Sequence, residues 1–243
     1  MTGSKADIVA QLQKEILLME GFKLCPKSAV IDLKLGPLLS AFPNKTFPLG
    51  AIHEFISSSP EDSAASCGFM AGLLSPILRN SGTMVWISSS RTIFPPALKH
   101  FGIEPERIIF LDLKKEKESL WAMEEALKCP ALSAVVGEIP DISFIASRRL
   151  QLAIEQSQVT GFLLRRNPRQ LNTTASVARW KITSLPSVSD NDLPGIQIPQ
   201  WNVQLLKIRN SRPNNWQLSW TNGSFKSIPR PIKTIQEWHT NTG

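Results

Sequence analysis

A chain of 243 residues with 42% hydrophobic and 19% charged side chains has the balance of a water-soluble globular protein, enough for one large domain or two modest ones. No run approaches eighteen uninterrupted apolar residues, so no membrane span and no membrane partner are expected. Cys25, Cys67 and Cys129 are odd in number and far apart, which argues against a disulfide framework or a zinc motif and places the chain in the cytoplasm. The net charge of +7 is uneven: residues 1–141 hold 14 Lys and Arg against 16 Asp and Glu, residues 142–243 hold 13 against 4. A basic second half suits either a polyanion-facing surface or simple solubility.

Residues 4–20 place Ile8, Leu12, Ile16 and Met19 on one face of a helix that must dock on its own domain or on a partner. The charges of Asp7, Lys14 and Glu15 interrupt the apolar pattern a secretory signal needs. Ala51–Ile56 reads as a strand that stops at Ser57-Ser58-Ser59-Pro60, and Glu61-Asp62-Ser63 open a helix rich in small residues that runs from Ala64 to about Leu78. Strands follow at 83–88, 107–111, 134–139 and 161–164, with helices predicted over 94–101, 116–128 and 143–157. This alternation predicts a mostly parallel sheet with helices on both faces. Ala178–Ile182 is a further alternating run, and 186–199 reads as a surface loop. Runs at 201–208 and 216–220 flank the turn at Arg212-Pro213-Asn214-Asn215, which predicts an antiparallel hairpin added to the sheet. The period-two placement of Trp180, Trp201, Trp216 and Trp220 marks them as core rather than as base-stacking platforms.

The stretch after the first strand is where a phosphate-binding loop would sit. Such a loop wraps phosphate oxygens with backbone N–H groups freed by glycines, neutralises charge with a lysine and holds Mg²⁺ with a hydroxyl. Here Ser57, Ser58, Ser59, Pro60, Glu61, Asp62, Ser63 and Ser66 supply no glycine and no lysine, and two carboxylates stand where phosphate would lie. Ser66 alone does not restore the site, so no nucleotide cofactor is expected. His53, His100 and His239 are isolated and read as structural; Cys67 reads as a buried hydrophobe, and no G-x-S-x-G context activates Ser57–Ser59. The cluster Arg148, Arg149, Arg165, Arg166 and Arg169, followed by Arg179 and Lys181, suits DNA phosphates, a partner's acidic face, or internal pairing with Glu124, Glu125 or Glu155.

Phe47–Glu54, Leu120–Leu127, Ala134–Glu138, Ala146–Ala153, Val159–Arg165, Ala178–Trp180 and the Trp201–Trp220 hairpin together resemble the RecA-like ATPase core, and more closely its ImuA, or SulA-like, branch. The resemblance covers roughly 47–220 and implies a three-layer α/β core over 47–222, an N-terminal helix and connector over 1–46, and a loose basic tail over 223–243. It implies an accessory protein of SOS-induced translesion synthesis without a working ATP loop. The implied partners are an ImuB-type relative of Y-family polymerases, RecA, an error-prone replicative-type polymerase reached indirectly, and DNA, so that the chain would gather at the nucleoid after damage. Glu138 falls where a Mg²⁺-associated carboxylate would end the fourth strand. A SulA-like division inhibitor and a DNA-dependent ATPase of the same fold are the alternatives.

Overall fold

The computed structural model describes residues 33–79, 82–188 and 198–228, and the helix expected over 4–20 lies outside them. Nine strands form one sheet in the order β3-β2-β4-β5-β1-β6-β7-β8-β9. They are β1 (Ile52–Ser57), β2 (Thr83–Ser88), β3 (Ile108–Asp112), β4 (Leu132–Glu138), β5 (Thr160–Arg166), β6 (Ala178–Val188), β7 (Ile198–Ile208), β8 (Asn214–Thr221) and β9 (Ser224–Ser227). Strands β1 to β6 pair in parallel, and β6 to β9 continue the sheet antiparallel. The architecture is therefore α/β, mostly parallel through its middle, with antiparallel C-terminal strands.

Every residue of β1 is buried, as a central strand covered on both faces requires. Helix α1 (Pro60–Leu78) covers one face together with the segment 33–47; α2 (Glu116–Leu127) and α3 (Phe144–Ser157) cover the other. The small residues of α1 serve close approach. A Cβ at Gly72 would stand 2.6 Å from Phe225 Cζ and 3.0 Å from Trp220 Cζ3, so the helix lies directly on the aromatic rings of the antiparallel strands. Trp180 sits at the middle of this core, buried against Phe42, Phe55 and Phe69.

Three expectations change. Residues 95–101 form a 3-10 helix rather than an α-helix, with Pro95 and Pro96 in its first turn and Gly102 closing it in the left-handed conformation. The loop expected over 186–199 is shorter: β6 and β7 stay paired out to Val188 and Ile198, with a register shift beside Pro186 that accommodates its missing donor. The outer boundaries at 46 and 223 do not separate packing units. Leu33, Leu35, Leu38, Ala41 and Phe42 on one side and Phe225 on the other belong to the α1-side core. The two ends meet where the Phe225 N–H donates to Lys34 O at 3.2 Å. Gly36 adopts a φ of +52° there, with no room for a Cβ beside the Phe225 carbonyl.

Candidate functional site

In parallel α/β sheets ligands bind at the carboxyl ends of the strands, and three groups of side chains converge there. The first is the turn from β1 into α1. Only Ser58 and Ser59 separate the strand from the helix. Ser59 is the N-cap, its Oγ accepting from the Asp62 N–H at 3.2 Å, and Pro60 occupies the first helical turn without a donor. The Glu61 carboxyl is held below the usual carboxylate range by its own backbone N–H and the Ser59 hydroxyl. The helix end thus already carries its own anions. Ser57, Ser63 and Ser66 are buried, and the hydroxyls of Ser63 and Ser66 have no partner among the described residues.

The second group closes over Glu138. Trp86 Nε1 donates to Oε1 at 2.9 Å, and Arg166 Nη2 lies 3.0 Å from Oε2. Burial pushes the Glu138 carboxyl up from its ordinary value, with Arg166 and Trp86 opposing. Each oxygen of Glu138 therefore has a protein partner, Trp86 on Oε1 and Arg166 on Oε2. Nearby, desolvation pushes the Cys67 thiol up to about 12, so it forms no thiolate at neutral pH. Expected as a buried hydrophobe, Cys67 is part-buried and packs against the α1-side core.

The third group was not visible in the sequence. Glu54 of β1 is fully buried and accepts from Arg165 Nη1 at 2.8 Å, Arg179 Nε at 2.9 Å, Thr174 Oγ1 at 2.6 Å and Ser176 Oγ at 3.1 Å. Arg165, also fully buried, donates onward to Pro140 O at 2.9 Å and Gln170 O at 2.8 Å; Arg179 donates to Asn172 O at 2.6 Å. Burial alone would raise the Glu54 carboxyl, but the bonds from Arg179, Thr174 and Arg165 outweigh it and hold the group below its ordinary value. One carboxylate therefore ties β1, β5, β6 and the segment 170–176 together.

These contacts revise the arginine cluster. Arg148 faces Glu155 at 3.9 Å, Arg149 binds Glu124, Arg166 binds Glu138, Arg169 lies 3.5 Å from Asp141, and Arg165 and Arg179 share Glu54. All six have a carboxylate partner; the expected acids Glu155 and Glu124 take Arg148 and Arg149, while the other four arginines pair with Glu54, Glu138 and Asp141. Arg165, at 0% exposure, presents nothing to a DNA phosphate. The tryptophans are core as expected, with Trp180, Trp201 and Trp220 buried and Trp216 packed against them. Among the described residues no group of three His, Cys, Asp or Glu side chains is placed to hold a metal ion, and no helix is long and apolar enough to cross a membrane.

His53 lies between the rings of Phe47 and Phe162. Its Nε2–H donates to Pro48 O at 2.7 Å, leaving Nδ1 buried without a partner among the described residues. Protonating Nδ1 would bury an unpaired charge, and desolvation lowers the imidazole from 6.5 to about 4. The unfolded chain therefore binds more protons between those values, and stability is predicted to fall by about 3 kcal/mol as pH drops from about 6.5 to about 4. Glu54, with its lowered folded value, adds a further loss on the acid side as it takes up a proton. Urea unfolding at several pH values, compared with His53→Gln, checks this. An identical pH slope in the variant would remove His53 as its source.

The fold and its strand-end site thus describe an α/β protein whose ligand-binding edge is occupied by its own side chains. No family model matches the chain. Protein ImuA of Caulobacter vibrioides is 33% identical over 208 residues, 81% of this chain and 84% of that protein. The chain belongs to the ImuA family. It is also similar to the cell division inhibitor SulA of Photorhabdus laumondii, 28% identical over 120 residues, 48% of this chain and 68% of that one. The crystal structure of SulA from Pseudomonas aeruginosa matches with a TM-score of 0.41 and 20% identity, over 47% of this chain and 97% of that chain.

Proposed function

We propose that this chain is a non-catalytic accessory protein of SOS-induced, error-prone translesion synthesis. Its core is RecA-like with a degenerate phosphate loop, and it works in the cytoplasm, gathering at the nucleoid after damage, through contacts with an ImuB-type polymerase relative and with RecA. The observation that carries this reading is the ImuA relationship, which extends over 81% of the chain rather than over one motif. The two-residue turn before α1 and the doubly bonded Glu138 support the absence of ATP turnover.

The contact surface in this reading is the outer face of α2 and α3. Trp121 is 63% exposed and Ile145 74%, with Phe144 and Leu152 exposed beside Arg148 and Arg149. Exposed large apolar side chains grouped with Trp and Arg have the make-up of an interface centre. Co-purification of the full chain with the polymerase relative tests it. Trp121→Ala with Ile145→Ala is expected to weaken that complex at least about tenfold, while wild-type ATP turnover stays at background with and without single-stranded DNA. Robust hydrolysis lost in Glu138→Gln would replace this reading with a DNA-dependent ATPase. The SulA similarity over 48% of the chain supports a second reading, inhibition of cell division, which capture of the division-ring GTPase in place of the polymerase relative would favour.

A further inference from the structure

Strands β6 to β9 have two unlike faces. Trp180, Ile182, Trp201, Val203, Leu205, Leu218, Trp220 and Phe225 point into the core beneath α1. The alternate residues form rows across the other face: Lys181–Gln204–Asn215, then Thr183–Asn202–Gln217, then Leu185–Gln200–Ser219–Lys226. All of these are exposed or part-exposed. Lys181 follows Arg179 by two residues, and Arg179 reaches Glu54, so this face continues the side of the sheet on which α2 and α3 lie. Yet the core under those two helices includes no residue of β6 to β9. Among the described residues, no helix layer covers this half of the sheet.

Among the described residues its charge has one sign. Residues 178–188 and 198–228 contain Arg179, Lys181, Lys207, Arg209, Arg212 and Lys226 and no Asp or Glu. Arg179 is committed to Glu54 and Lys207 donates to Thr174 O, but Lys181, Arg212 and Lys226 have no carboxylate partner among the described residues. A face kept polar only for solubility mixes both signs. Here cations stand at two corners of a field in which Leu185 is the one apolar member and the rest are amides and hydroxyls, the groups that donate to phosphate and sugar oxygens. A second copy of the chain would bring the same cations against these. The apolar stripe of Ile8, Leu12, Ile16 and Met19 would meet a polar surface. Neither occupant fits the face as a polyanion does.

We propose that the helix-free face of β6 to β9 binds a nucleic-acid backbone, with Lys181 and Lys226 neutralising phosphates and Asn202, Gln204 and Gln217 donating hydrogen bonds. No exposed aromatic side chain lies on the three rows, so bases are not stacked and binding tolerates sequence. This surface is separate from the α2–α3 face above and stands whether or not that face holds a polymerase relative.

The test is fluorescence anisotropy of the full chain with a labelled mixed-sequence single strand and its duplex, titrated across NaCl. Lys181→Glu with Lys226→Glu is expected to weaken binding at least about tenfold and to lower the salt slope by about 1.4 for the single strand, since each neutralised phosphate contributes about 0.7. Thermal unfolding of that variant should match the wild type, because Lys226 is exposed, Lys181 is part-exposed and neither has a carboxylate partner among the described residues. Lys181→Arg with Lys226→Arg should bind as the wild type does, and so should Arg148→Ala with Arg149→Ala, which alters only paired arginines on α3. The proposal is overturned if the wild-type chain binds neither oligonucleotide at low salt or if the Lys→Glu pair binds normally. It is equally overturned if binding is lost only in the α3 variants, or if polyglutamate binds the face as tightly as the oligonucleotides do.

Discussion

Replacing Arg165 with methionine is expected to destabilise the protein by about 3–5 kcal/mol, the range for stripping one partner from a buried ion pair. Methionine fills much of the same space but removes the Nη1 bond to Glu54 and the bonds to Pro140 O and Gln170 O. Glu54 would keep Thr174 and Ser176 on Oε2 and Arg179 on both oxygens, but Oε1 would be left with only the longer Arg179 Nη2 bond at 3.3 Å. Arg165→Lys separates charge from geometry, because an ammonium restores the charge without the planar fork that reaches three acceptors at once. It should recover part of the loss and no more. Urea unfolding at pH 7 reads both variants, and a loss below about 1 kcal/mol for Arg165→Met would mean the cluster does not hold the strands together. A nucleic-acid-binding defect in an Arg165→Ala variant would report unfolding, since the side chain is enclosed.

Truncating Phe225 to alanine is expected to cost about 3–5 kcal/mol as well, the range for Phe→Ala in a packed core. The ring packs against Phe69 and Trp220 at 4.9 Å between centroids and against Trp201 at 6.1 Å, directly over Gly72 of α1. Its backbone also anchors the segment around Lys34. Thermal unfolding in parallel with a chain ending at residue 222 distinguishes side-chain from strand contributions, and the shortened chain should be at least as unstable as Phe225→Ala. If ending the chain at 222 left the midpoint unchanged, β9 would be a dispensable tail, as its short run of residues suggests when read alone.

Much of the scaffold is legible in the sequence because its signals are local. Apolar runs of strand length, the Asn80-Ser81-Gly82 stop and the periodicity of 116–128 each act within a few residues, and α2 and α3 lie within a residue or two of where that periodicity puts them. The C-terminal hairpin was visible for the same reason. Phe225 was not, since Ser224–Ser227 is too short to show a period and its partners are far away in the chain. Glu54 stands with His53 in the mostly apolar run Ala51–Ile56. A carboxylate inside a doubly covered strand demands buried cations, and that demand was the available signal. Its partners Arg165 and Arg179 are 111 and 125 residues on, so no spacing rule pairs them.

The amino-acid sequence by itself determined the order of strands and helices, the loss of glycine and lysine after the first strand, and the family whose pattern the chain carries. Each is a property of residues that are neighbours along the chain. Only the tertiary structure decided which charges cancel. It placed Arg148, Arg149, Arg165, Arg166, Arg169 and Arg179 against carboxylates and left the antiparallel strands with a cationic face that no described helix covers. Electrostatic pairing depends on distance through space and on burial, and neither quantity exists until the sheet has assembled.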